Sequence, residues 1–121
     1  MKLEKLDGTF AVCKLESVDD IDVGGEFASL TVTDSEVSLV CEQSRVPIGC
    51  IADRGWKALR ISGTLDFALV GILAEISGIL ARAAVSIYAV STYDTDYLFV
   101  KANQLDTART TLEAAGHEFI A

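Results

Sequence analysis

Apolar residues recur along this chain with two periods, and the switches between them mark its elements. In residues 65–83, Leu69, Ile72, Leu73, Ile76, Ile79, Leu80 and Ala83 fall three and four apart. That spacing predicts a helix with one broad apolar face, started by Thr64 or Asp66 as a cap. The opposite face carries Gly71, Ala74, Gly78 and Ala81, with Glu75 and Arg82 as its main charges. Glycine inside a helix costs roughly 1 kcal/mol relative to alanine, so this side is expected to pack closely against something. Residues 56–62 before the helix alternate, with Leu59 and Ile61 on one face and Ala58 and Arg60 on the other. After it come strands at 85–92 and 97–101, joined by the turn Tyr93-Asp94-Thr95-Asp96-Tyr97. Asn103 is then expected to cap a second helix with Leu105, Ala108, Leu112 and Ala115 inward, Gly116 at its C′ position, and a closing strand at 117–120. Strand-helix-strand-strand-helix-strand predicts an α+β, ferredoxin-like βαββαβ domain: an antiparallel sheet with two helices on one face.

The first half has the period of strands only. Residues 9–15 read as a strand with Phe10 and Val12 on one side, and 16–26, with Gly24-Gly25, as a loop. Residues 27–41 read as a hairpin: Ala28, Leu30 and Val32 alternate with polar residues, Asp34-Ser35 makes the turn, and Val37, Leu39 and Cys41 resume the alternation, so each arm has one apolar face. Residues 42–49, with Pro47, form an irregular connection, and 50–52 a short extended piece before Asp53-Arg54-Gly55. The half echoes the strand order of the second in degenerate form. The chain thus reads as a tandem pseudo-repeat, with a degenerate half at 1–54 and the complete domain at 55–121.

Composition narrows the partners. Half of the 121 residues are hydrophobic, enough for a packed interior. A net charge of −8 repels phosphate backbones and anionic lipid, so neither nucleic acid nor a membrane surface is expected as a partner. The N-terminus lacks an apolar signal region, and Asp66 and Glu75 interrupt a helical stretch too short for a membrane span, so a cytoplasmic location is expected. Cys13, Cys41 and Cys50 form no C-x-x-C pair and read as buried free thiols.

Catalytic chemistry has little to stand on. Nothing in the sequence ties the single histidine, His117, to Ser91 or to a cysteine. Gly63-Thr64 lacks the length and lysine of a phosphate loop, and zinc-ligand spacing is absent. Asp20, Asp22 and Gly24 miss the EF-hand pattern, in which Thr31 would have to be a glutamate, so 16–26 is expected to be a solvated acidic loop. No enzyme, metal or cofactor is expected.

The stretch LDFALVGILAEISGILARAAVSIYAVSTYDTDYLFVK, with GW before Lys57 and AAGHEF near the end, resembles the ACT-domain family. The branch it is similar to holds the CASTOR-type arginine sensors and small bacterial relatives. The resemblance is specific at the helix and at VSTYDTDY and looser through FAVCKL and VSLVC. It implies a non-catalytic regulatory protein that binds an amino acid or similar small molecule where two ACT domains lie side by side. Ligand contacts are then expected from Leu65, Asp66, Phe67, Leu69, Val70 and Gly71 at the helix start, and from Ser91, Thr92, Tyr93 and Asp96 at the strand end. Backbone N–H groups at a helix start suit a carboxylate, while strand-end carbonyls and a carboxylate suit an ammonium. In the sensors an aspartate after the Ser-Thr-aromatic run pairs with the ligand's guanidinium. Asp96 matches it, after Ser91, Thr92 and Tyr93. The acidic residue two before the helix glycine of the sensors is Leu69 here. The sensors carry four ACT-like units per chain, so two copies of this chain would restore the count and a homodimer is expected. The alternative is a ligand-free dimerising scaffold that docks onto a metabolic enzyme.

Overall fold

A computed structural model describes residues 1–19, 21–62 and 71–120. The elements are β1 (Lys2–Lys5), β2 (Phe10–Leu15), β3 (Ala28–Val32), β4 (Val37–Glu42), β5 (Ile51–Ile61), α1 (Ile72–Arg82), β6 (Ile87–Ser91), β7 (Asp96–Lys101), α2 (Leu105–Ala114) and β8 (Glu118–Ile120). By contacts the chain forms two units, Met1–Leu6 with Lys57–Ala121, and Asp7–Trp56.

In the first of these units β7 lies between β5 and β6, and β1 between β5 and β8. Leaving β1 aside, the sheet follows the fourth-first-third-second strand order of the βαββαβ arrangement. Leu59, Ile61, Leu98 and Val100 form the buried side of the sheet, and Ile76, Ile79 and Leu80 of α1 with Ala108 and Leu112 of α2 cover it. The alternation of residues 56–62 is as the sequence predicts, and so are Leu105, Ala108 and Leu112 of α2, whereas Ala115, expected inward, is the exposed C-cap. The inserted β1 is not predicted. It runs antiparallel to β5, with Leu3 opposite Ile61, and parallel to β8, with Leu3 opposite Phe119. Four residues with one buried leucine are too short for alternation to be read as a strand. What makes them one is pairing with both neighbours.

Residues 7–56 form a sheet ordered β3-β4-β2-β5, all antiparallel. The predicted hairpin forms, and its register sets Ala28, Leu30 and Val32 opposite Cys41, Leu39 and Val37. The expected burial of its apolar face holds for β4 alone. Leu39 and Cys41 are buried, whereas Leu30 and Val32 are 41% and 59% exposed. One buried cluster of this unit holds Ala11, Cys13, Leu39 and Cys41, with Leu15, Ile21, Val46, Cys50 and Ala52 at its margin, and Phe10, Phe27, Val40 and Trp56 are buried as well.

Other expectations need correction. Residues 50–52 and 56–62 are one strand, β5, because Gly55 (φ 84°) absorbs an extra residue as a bulge between the Phe10–Trp56 and Val12–Asp53 pairs. Asn103 sits inside the 3₁₀ turn Ala102–Gln104 and does not cap α2. Gln104 instead accepts from the Ser86 N–H and donates to the Ala84 carbonyl, tying down the chain between α1 and β6. Gly116 does stand at C′, where the His117 N–H closes back on the Leu112 carbonyl. The described part of the first helix starts at Ile72, since Gly71 stands at its N-cap with φ 82°, a left-handed backbone that an α-helix cannot run through. Thr64, Leu65, Asp66, Phe67, Leu69 and Val70 lie outside the described residues. Of the small-residue face, Ala74 and Ala81 are exposed, so the close packing expected there is not supplied within the described chain.

Candidate functional site

The polar end of the β6–β7 hairpin is built from short-range hydrogen bonds. Ser91 and Asp96 form the last register pair, and the Ser91 hydroxyl donates to Asp96 Oδ1 at 2.6 Å. Inside that pair the Thr92 N–H and hydroxyl both donate to the Thr95 carbonyl, at 2.8 and 3.0 Å. The Thr95 N–H returns a bond to Thr92 Oγ1 at 3.3 Å. A threonine hydroxyl that both donates and accepts closes such a turn without glycine or proline.

Thr95 also fixes the turn to the sheet. Its side chain is buried and its hydroxyl donates to the Ile61 carbonyl at 3.0 Å. Ile61 ends β5, two residues before the 63–70 segment, so the turn is anchored where the chain leaves for α1. Thr95 is the residue that the sequence reading missed. Its signal was faint, a hydroxyl at the centre of a polar turn, and its partner lies 34 residues away.

Of the ten expected ligand contacts, Leu65, Asp66, Phe67, Leu69 and Val70 lie outside the described residues. Ser91 and Asp96 are joined directly, and Thr92 is held one residue further along the turn. Tyr93 projects from the turn and is 82% exposed. Gly71 begins α1, its carbonyl accepting from the Glu75 N–H at 2.8 Å. An ionised carboxylate has about four acceptor positions, so Asp96 retains capacity for a cationic group beside the bond from Ser91.

One residue further along β7, on the sheet face away from the helices, the Arg60 guanidinium lies 6.0 Å from the Tyr97 ring centroid and pairs with the Glu4 carboxylate. Hydrogen bonding to Tyr97 and then to Glu4 raises the Arg60 pKa above its ordinary value. This row crosses β1, β5 and β7 and holds their register beneath the turn.

Elsewhere the predicted chemistry resolves into structure. Asp22 accepts from the Gly24 N–H and pairs with Arg45 at 2.6 Å, and those two groups, in that order, hold its carboxyl below the usual carboxylate range. His117 is buried, its Nδ1 3.1 Å from the Met1 nitrogen and its Nε2 3.9 Å from Glu75. The three cysteines, far apart in sequence, meet around Cys13, whose thiol is pushed up to about 12 by burial and by Cys41 and Cys50 beside it. A thiol so reluctant to ionise is a poor nucleophile. Among the described residues no group of three or more His, Cys, Asp or Glu side chains is placed to hold a metal ion. Nor, among them, is any helix long and apolar enough to cross a membrane.

Comparison with known proteins places the fold. A family model described as an ACT domain matches residues 51–114. The chain belongs to the ACT domain family. ACT domains are regulatory modules that in general bind small molecules and often dimerise. A second family model, describing an N-terminal domain, matches residues 8–49. The crystal structure of a protein from Agobacterium tumefaciens is 34% identical to this ACT protein, with a TM-score of 0.89 over 98% of this chain and 91% of that one. A protein of unknown function from Vibrio cholerae, described as a possible transport protein, is 18% identical, with a TM-score of 0.77 over 93% of this chain and 88% of that one. The aspartate kinase of Clostridium acetobutylicum, described as an allosteric enzyme, is 16% identical, with a TM-score of 0.67 over 93% of this chain and 33% of that one. The last two likenesses are of fold alone. No curated protein matches the chain.

Proposed function

We propose that this ACT protein is a non-catalytic regulator that binds an amino acid where the ACT units of two copies lie side by side. The observation that carries the reading is the anchored turn: Asp96 pre-oriented by Ser91, on a hairpin end that Thr95 fixes to the last carbonyl of β5. A rigid carboxylate beside a strand end suits an ammonium or guanidinium group. The left-handed Gly71 sets the direction in which α1 departs, and the N–H groups of a helix start suit the ligand's carboxylate. The remaining contacts are assigned to Leu65, Asp66, Phe67, Leu69 and Val70, with Thr92 and Tyr93 at the turn. The likeness to the CASTOR-type sensors makes arginine the first ligand to try, and Leu69 in place of their acidic residue makes a full amino-acid panel necessary.

The tandem pseudo-repeat is part of the same proposal, as a degenerate half at 1–54 and an ACT domain at 55–121. It is supported by residues 7–56 having the strand order β5-β2-β4-β3, the same fourth-first-third-second order, with loops where the helices would be.

Thermal-shift measurements with each amino acid at millimolar concentration test the binding reading. One or a few are expected to raise the melting temperature, and Asp96→Asn to abolish that response while leaving the unliganded melting temperature within about 0.5 kcal/mol equivalent of wild type. Silence across the whole panel would sink it. The competing reading, a ligand-free scaffold docking onto a metabolic enzyme, is favoured by exposed Ala74 and Ala81 on α1. It requires that Ala74→Arg disrupt dimers while Asp96→Asn changes nothing.

A further inference from the structure

The outer edge of β3 is unlike a protected sheet edge. β3 ends the strand order of its unit and, among the described residues, pairs only with β4. Its sequence, Ala-Ser-Leu-Thr-Val, contains no charge and no proline, and the register with β4 carries no bulge. Lysine, proline and bulges are the usual means of keeping an edge from pairing, and none is present. Leu30 and Val32 stand 41% and 59% exposed on one face of the strand, continuing to the edge the apolar row whose inner members, Leu39 and Cys41, are buried. Such an edge offers a partner strand a row of backbone donors and acceptors and alternate apolar side chains.

The charges around the edge say which strand. Residues 7–56 contain ten Asp and Glu against three Lys and Arg, a net −7 out of −8 for the chain. Exposed Glu26 precedes β3, and exposed Asp34 and Glu36 follow it. Within this unit Arg45 pairs with other carboxylates, those of Asp22 and Glu42. In an antiparallel pairing of two copies centred on Leu30, Glu26 of each copy would face Asp34 of the other. Like charges directly opposite are destabilising, so this edge is built against itself.

We infer that the β3 edge is a docking site for an extended segment of a partner protein, with alternating apolar side chains at its centre and Lys or Arg at both ends. Added as a fifth strand to this sheet, the segment places its apolar residues against Leu30 and Val32. Its bases meet Glu26 at one end and Asp34 and Glu36 at the other. The inference stands on the 7–56 unit and does not depend on the amino-acid site.

The test uses the full chain and a fluorescein-labelled peptide of alternating valine and threonine with two lysines at each end, followed by anisotropy. Three controls accompany it: the same peptide with a central proline, one with glutamates for lysines, and the protein variant Leu30→Lys/Val32→Lys. Binding is expected for the lysine-flanked peptide, weakened about tenfold or more by each control and weakened by added salt. The circular dichroism spectrum and the melting temperature of the variant serve as its folding check. Should that variant misfold, Glu26→Gln/Glu36→Gln, which alters only exposed side chains, is expected to lower the affinity by itself. Equal binding of the proline peptide, indifference to both protein variants, or no binding at millimolar peptide would overturn the inference. So would a dimer at neutral pH, seen by sedimentation, that Leu30→Lys/Val32→Lys disperses, because the occupant would then be a second copy.

Discussion

The two units have one strand order and two ways of covering it. In residues 57–120 the connection after the first strand of the pattern is α1 and that after the third is α2, and the helices bury Leu59, Ile61, Leu98 and Val100. In residues 7–56 the corresponding connections are the acidic loop after β2 and the 3₁₀ turn Gln43–Arg45 after β4. They supply Ile21 and Val46 to a cluster of alanine, leucine and cysteine. Sheet order alone does not decide how much of a sheet is buried; the connections do. Where helices cross, even strand-end positions are fixed, and Thr95 is buried. Where loops cross, the edge strand keeps its apolar residues in water.

The largest effect expected from this difference is in the cores. Leu98 and Leu39 are both fully buried leucines. Leu98→Ala leaves its cavity walled by sheet and two helices, whereas the margin of the Leu39 cluster includes Ile21, Val46 and Cys50, which lie outside the strands and can move in. Urea unfolding is expected to give a loss of about 4 kcal/mol for Leu98→Ala and about 2 kcal/mol for Leu39→Ala. Equal losses would remove the distinction between the two coverings.

The hairpin turns sharpen it. Thr33 and Thr92 have the same role, each accepting at Oγ1 the N–H of the residue three along, Glu36 at 3.1 Å and Thr95 at 3.3 Å. Replacing either threonine by alanine is therefore expected to lose a similar 0.5–1.5 kcal/mol or about that. The fourth positions differ, since Thr95 reaches the Ile61 carbonyl and Glu36 is exposed. Thr95→Val, which strands that carbonyl, is expected to lose about 2 kcal/mol, and with it the amino-acid response. Glu36→Ala is expected to stay within about 0.5 kcal/mol of wild type. Paired denaturation curves for the two positions decide the matter; parity between them would detach Thr95 from any special role.

The smallest expected effect is on acid stability in the loop that stands in place of a helix. The Asp22 carboxyl titrates below its ordinary value of 3.8 because the Gly24 N–H and Arg45 favour its charged form. Its contribution is therefore complete above the unfolded value and is lost as pH falls through the lower, folded one. Melting temperatures recorded from neutral pH downward should separate wild type from Asp22→Asn at neutral pH and converge in acid. Curves that run parallel throughout would leave the Asp22–Arg45 pair without a stabilising role.

Much was legible wherever the information is local. The face of Leu59 and Ile61, the alternation of the two arms around Asp34-Ser35 and the C′ position of Gly116 each depend on residues within one element or one turn. Charge distribution was equally open to reading, although its concentration in residues 7–56 gained meaning only once those residues proved to be one contact unit. The candidate site was half legible. Ser91 and Asp96 were singled out from a crowded turn and do meet, while the anchor that fixes them, Thr95 on Ile61, pairs positions that no spacing rule connects.

The sequence by itself determined the period of the longer helices and strands and, with it, their apolar faces, because periods of two and 3.6 are set by the backbone. Only the tertiary structure decided that Lys2–Lys5 is a strand, that Gly55 makes a bulge within β5, and that Cys41 and Cys50 lie beside the Cys13 thiol. It also decided that the apolar residues of β3 remain in water. Each of these depends on what lies beside a residue across the sheet. A period along the chain carries no record of that neighbour.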